Sequence, residues 1–273
     1  MGLITPDWSG LVDGQTADAS DVKNPLNTII NEFNGNISGN NLANNTITGQ
    51  KIVNSVALTT PAITSPTFIG TVDGWVNPND TWTYASATTI TVSSGAASIY
   101  SVGDKIKLTQ TTVKYFYITA VADTLLTITG GTDYTLTNAT ISLNYYSHES
   151  SPVGFPGRLS FSSVPTPSVG AITTVTTTRN SMSMNGRKVT VEYDFTITTN
   201  GTGSGYLNIP LPINSDGLQS YSATGKDPVN SGKAFGGTID SVSPTKIILL
   251  DYNNSYPIGG NGARMVVHSD YYI

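Results

Sequence analysis

The chain has 273 residues, a formal net charge of −5 and only 11% charged residues, where soluble globular domains average about 25%. Hydrophobic residues make up 38%, too many for a disordered chain of such low charge, and the absence of cysteine excludes disulfides and thiolate metal sites. The pI near 4.8 argues against a nucleic-acid surface, and neither a signal peptide nor an apolar run of membrane-spanning length is read from the sequence, so no membrane insertion is expected.

Polarity comes instead from Thr, Ser and Asn, with 27 Gly. Thr favours strands, and Asn, Ser and Gly favour turns. The expected class is therefore all-β.

Residues 1–21 show neither a strand nor a helix period. Such a segment builds no core of its own, so it is either a frayed terminus or a docking segment, with Ile4, Trp8 and Leu11 as its anchors. Residues 22–34 read as the one convincing helix, with Asn24 as N-cap, Pro25 at the first helical position and Gly35 as the stop. Its residues Val22, Leu26, Ile29 and Phe33 are spaced four, three, four, the seam of a coiled coil. A helix this short is marginal alone in water and needs a partner surface.

Residues 35–74 are expected to form a fibre shaft. Within them GNISGNNLAN and NTITGQKIVN align as a ten-residue repeat with an apolar residue every five: Ile37, Leu42, Ile47 and Ile52. A period of five fits neither a helix nor a flat strand. It fits a winding strip with one apolar side chain per turn, which a single chain cannot cover. Three chains around a common axis would close that core, each buried Ile or Leu contributing roughly 1.5–3 kcal/mol. The competing reading is a low-complexity linker.

Residues 75–147 read as a small antiparallel β-barrel or sandwich, with strands at 82–92, 105–108, 114–121, 125–129 and 140–145 separated by Gly- and Asp-containing turns. The Pro/Gly-rich run 148–157 reads as a hinge. Residues 158–273 read as a jelly-roll-like C-terminal β-sandwich, with strands at 189–197, 206–210, 234–239, 246–250 and 263–268. The turn at 200–205 would return strand 206–210 alongside 189–197. Tyr252, Asn253, Asn254 and Tyr256 form a candidate receptor loop.

No catalytic, metal or cofactor motif is found. His148 and His268 have no metal-ligand spacing. Asp80, Asp104, Asp123, Asp133 and Glu149 are dispersed, mostly in turns, where aspartate more often bonds backbone than catalyses. The expectation is that the chain is not an enzyme and needs no cofactor.

The stretch DGQTADASDVKNPLNTIINEFNGNI resembles the N-terminal module of bacteriophage fibre and minor structural proteins. The repeat NISGNNLANNTITGQKIVN is similar to the shafts of phage tail fibres, and residues 74–156, especially WTYASATTITV and VGDKIKLTQTTVKYFYI, resemble a small β-domain of phage structural proteins. The C-terminal domain is similar only in style to trimeric fibre heads. The resemblance implies a homotrimeric tail or collar fibre of a virion, docked to other virion proteins by its N-terminus and binding a host surface glycan or protein with its distal domain. A capsid head fibre or decoration protein is the alternative, followed by a glycan depolymerase with an inter-subunit acid pair and a bacterial adhesin.

Overall fold

A computed structural model describes residues 8–9, 13–16, 18–33, 73–229, 233–258 and 260–273. The chain divides into two compact units, Met1–Pro66 and Thr67–Ile273.

In the first unit, helix α1 spans Ala19–Phe33. It begins three residues before the expected start, and Asn24 is not its cap. The cap is Asp18, whose Oδ1 accepts the Ser20 amide at 3.2 Å while Asp21 Oδ2 accepts the Asp18 amide at 2.8 Å. This reciprocal arrangement satisfies two amides at the helix start, and both carboxylates favour the positive end of the helix dipole. Pro25 consequently lies inside the helix, where it supplies no amide to the carbonyl one turn back. The expected shaft positions Ile37, Leu42, Ile47 and Ile52, and the anchors Ile4 and Leu11, lie outside the described residues.

The second unit is mostly β and every strand pairing in it is antiparallel. One sheet has six strands: β1 (Thr83–Ser86), β2 (Thr89–Thr91), β3 (Lys105–Thr109), β4 (Val113–Ala122), β5 (Leu125–Thr129) and β6 (Ser142–Ser147), in the order β1-β2-β5-β4-β3-β6. Residues 82–92, read as one strand, fold as the β1–β2 hairpin. Its reversal uses Ser86, whose Oγ accepts the Thr88 amide at 3.2 Å and lies 2.6 Å from the Thr89 hydroxyl. A hydroxyl turn replaces the Gly or Pro that would have announced it. Trp82, Ile90, Ile106, Leu108, Phe116 and Leu126 are among the side chains of this sheet's core.

The other sheet has nine strands: β7 (Leu159–Ser160), β8 (Thr166–Val169), β9 (Thr174–Asn185), β10 (Lys188–Thr199), β11 (Ser204–Pro210), β12 (Tyr221–Lys226), β13 (Ala234–Asp240), β14 (Ser243–Asp251) and β15 (Ala263–Tyr272). Their order is β7-β9-β10-β15-β12-β13-β14-β11-β8. The expected pairing of β11 with β10 does not form. β10 is already flanked by β9, through the tight turn at Gly186-Arg187, and by β15, while β11 joins β14 and β8.

The edges β7 and β8 are joined by residues 161–165 alone. That connection reaches at most about 20 Å, whereas nine flat strands would place the edges on the order of 38 Å apart. The sheet must therefore curl, and one continuous core fills its concave side: Val189, Val191, Tyr193, Phe195 and Ile197 of β10 share it with Leu207, Ile209, Ile247, Leu249 and Met265. Tyr193 donates its hydroxyl to the Pro210 carbonyl at 3.1 Å across the curl. The jelly-roll-like expectation of two stacked sheets thus gives way to one curled sheet.

The two sheets pack against each other. Tyr117 of β4 enters the core of the large sheet. Ser160 accepts the Thr132 amide at 2.8 Å and donates its own amide to Asp133 at 2.7 Å. Residues 148–157, read as a hinge, are tied down: Trp75 Nε1 donates to the Val153 carbonyl at 2.8 Å, and Phe155 lies 5.0 Å from the Tyr117 ring. Gly103, at φ 94°, presses against the Gly186 backbone with no space for a Cβ.

Gly103→Ala is expected to lower the unfolding free energy by at least about 2 kcal/mol, because strain at positive φ adds to a backbone clash. Tyr193→Phe is expected to cost about 1 kcal/mol, the net value of one hydrogen bond. Urea denaturation of each variant measures both.

Candidate functional site

The strand directions set which loops share an end of the large sheet. Contacts with the six-stranded sheet involve Gly186 and Ser160, beside the β9–β10 turn. The connections β8–β9, β10–β11, β12–β13 and β14–β15 emerge at the opposite end. This is the end of the large sheet away from the small one, and it carries the candidate receptor loop.

Three of these connections are stapled together. Thr202 donates its amide to the Ala171 carbonyl at 3.1 Å, and Ala171 donates its own to Thr202 Oγ1 at 3.1 Å. Asn200 receives the Tyr256 hydroxyl on Oδ1 at 2.7 Å, donates Nδ2 to the Gly203 carbonyl at 3.0 Å, and donates its amide to Asn261 Oδ1 at 2.9 Å. Burial pushes the Tyr256 phenol up to about 12, so it remains a donor through the neutral range.

The tip beyond this staple is built on Asp251. Its Oδ1 accepts the amides of Asn253 at 2.9 Å and Ser255 at 2.8 Å, and its carbonyl accepts the Asn254 amide at 3.1 Å. Asn254 adopts φ 58°, a conformation that asparagine tolerates better than most residues. The sequence places Tyr252 and Tyr256 in one candidate receptor loop, and the structure separates their roles. Tyr252 is 76% exposed. Tyr256 is half-buried and holds the scaffold. Tyr252, Asn253 and Asn254 thus stand on an ordered turn, where a ring can stack and amides can bond a polar ligand. Asn200 and Asp251 were missed by the sequence reading. Their signals were an Asn opening the Asn-Gly-Thr-Gly run and an Asp four residues before Ser255.

The other expected site residues fall in the first unit. Val22 and Leu26 are 40% and 44% exposed, and Ile29 is half-buried; Ile30, outside the expected seam, is 49% exposed. Phe33 closes α1, its side chain outside the description. Trp8 is exposed.

The dispersed acids are occupied by structure. Asp80 takes the Ser93 amide and hydroxyl at 3.0 and 2.6 Å, Asp123 the Gly95 amide at 2.6 Å, and Asp104 the Ser101 amide at 2.7 Å with His148 at 2.8 Å. Among the described residues no cluster of His, Asp or Glu could hold a metal ion, and no helix is long and apolar enough to cross a membrane.

Tyr256→Phe is expected to cost about 1 kcal/mol in urea denaturation and to speed amide exchange at Asn200 and Gly203. Tyr252→Ala is expected to stay within about 0.5 kcal/mol of the parent, since its ring is in water. No protein-family model, curated protein or solved structure matches the chain.

Proposed function

We propose that this chain is a structural component of a bacteriophage virion: a homotrimeric tail or collar fibre that docks through residues 1–21 and binds the host surface with its C-terminal sheet. The observation that carries the reading is the apolar stripe of α1. Val22 and Leu26, on the predicted seam, are 40% and 44% exposed in a single chain. Sister helices of the same type would cover them, and the repeat that follows in sequence asks for the same partners.

Two further features support it. The loop end carrying Tyr252 lies opposite the contacts with the six-stranded sheet, as suits an outward-facing binding tip. Three copies of a weak site would bind together by avidity. The sequence resemblance of residues 1–156 to phage structural proteins supplies the setting on a virion surface.

Light scattering of the full-length protein tests this directly. The expected mass is three times 28.7 kDa, falling toward one chain in Leu26→Asp and Ile47→Asp. A monomeric parent protein would overturn the trimer and with it the fibre reading.

A further inference from the structure

Few of this chain's residues are charged, yet the convex face of β9, β10, β15 and β12 gathers many of them. Cross-strand register places Arg179 opposite Asp194, Asp194 opposite Val266, and Val266 opposite Lys226. These four residues form one row across four strands. The neighbouring row runs through Ser181, Glu192, His268 and Thr224. Alternation in β10 and β15 points the acids, Val266 and His268 away from the core. Two shallow depressions lie along these rows and meet at Val266 and His268.

The acids on this track are already neutralised. Asp194 is held by both ends of the Arg264 guanidinium, at 2.8 and 2.6 Å, and Glu192 is paired with Arg158. Arg187 donates to the C-terminal Ile273 carbonyl. That leaves Arg179, of the chain's arginines, with no side-chain hydrogen bond or ion pair among the described residues, and Lys226 likewise has no side-chain partner there. Both are exposed. Three strand spacings separate them, roughly 14 Å. Between them lie Val266, 41% exposed, and the half-exposed His268, with the exposed Thr224 two residues before Lys226 on the same strand.

We infer that this track binds an anionic saccharide chain that carries carboxylates on alternate rings. The Arg179 fork would take one carboxylate in two parallel hydrogen bonds and Lys226 the next as a point charge. The intervening neutral ring would lie on Val266 with its hydroxyls toward His268 and Thr224. A nucleic acid fits less well, because its phosphates follow one another far more closely than these two cations and those between them would meet the apolar Val266. The inference rests on the reading of the C-terminal sheet as the surface-binding part, and it moves the ligand from the Tyr252 turn to the sheet face.

The test measures binding of the full-length protein to hexasaccharides of alternating hexuronic acid and N-acetylhexosamine, with the carboxyl-reduced hexasaccharide as control. The acidic probe is expected to bind and the reduced one to fail. Arg179→Ala and Lys226→Ala are each expected to weaken binding about tenfold, the effect of losing one charged hydrogen-bonding group. Both side chains are exposed, so folding is not at stake, and Tyr252→Ala is expected to leave binding unchanged. Absence of binding, equal binding of the reduced probe, displacement by polyglutamate at equal concentration, or indifference to both cation variants overturns the site. A trimer that does not bind overturns this inference and leaves the assembly standing; a monomer that binds does the reverse.

Discussion

Two hydroxyls converge on the Pro210 carbonyl: Tyr193 from β10 at 3.1 Å and Ser163 from the edge-to-edge connection at 2.9 Å. β10 is third from one edge of the sheet and β11 is next to the other. In a flat sheet they would be on the order of 24 Å apart. The meeting is possible only because residues 161–165 draw the edges together, and Ser163 itself accepts Asn180 Nδ2 at 3.3 Å. A carbonyl has two lone pairs, and here both are used to hold the curl. The continuous core and the convex charged face both follow from that curvature.

How much of this was legible depended on the contrast between inward and outward residues. β10 reads off the sequence because Val189, Val191, Tyr193, Phe195 and Ile197 alternate with polar residues, and all five are buried. β5 and β3 read for the same reason. β9, its hairpin partner, did not read, because TVTTTRNSMSMN offers only Val175, Met182 and Met184 as apolar marks. Thr and Ser build strands as well as turns, so a Thr-rich strand is hard to tell from a loop. The glycine-rich run 200–205 reads as a hairpin turn that would pair β11 with β10, but β9 and β15 take both sides of β10. The helix start was misread through a similar substitution: Pro25 is a strong local signal, but the aspartate pair at 18 and 21 satisfies the helix end earlier. The loop site was half legible. Composition marks Tyr252 and Tyr256 equally, and only the Asn200 contact tells the scaffold residue from the exposed one.

Aspartate serves mainly as a turn-builder here. Asp216, Asp227, Asp240 and Asp251 each accept the amide two residues onward, at 3.1, 2.9, 3.1 and 2.9 Å. The same geometry recurs at four connections, where each carboxylate holds the turn that follows it. The paired carboxylates that remain include Glu192, Asp194 and Asp270, on the convex face of β10 and β15, where Lys188 meets Asp270 at 2.9 Å. Exposed pairs of this kind add little stability. Their consequence is electrostatic: they quiet the face on which Arg179 and Lys226 stay unpaired.

The two units differ in what they leave unfinished. In the second, both sheets close apolar cores within one chain, and Trp82, Tyr193, Phe195 and Tyr271 are almost wholly out of water. Nothing in those cores requires a second copy. The first unit's helix keeps Leu26 and Ile30 nearly half exposed. A fifteen-residue helix interrupted by a proline is a weak former by itself. Its amphipathic face has value only against another surface. The uncovered apolar surface that the proposed trimer would use thus lies on α1, in the first unit. That division leaves the convex face and the loop tip of the large sheet with no part in closing an apolar core, as the 76% exposure of Tyr252 and the 41% exposure of Val266 show.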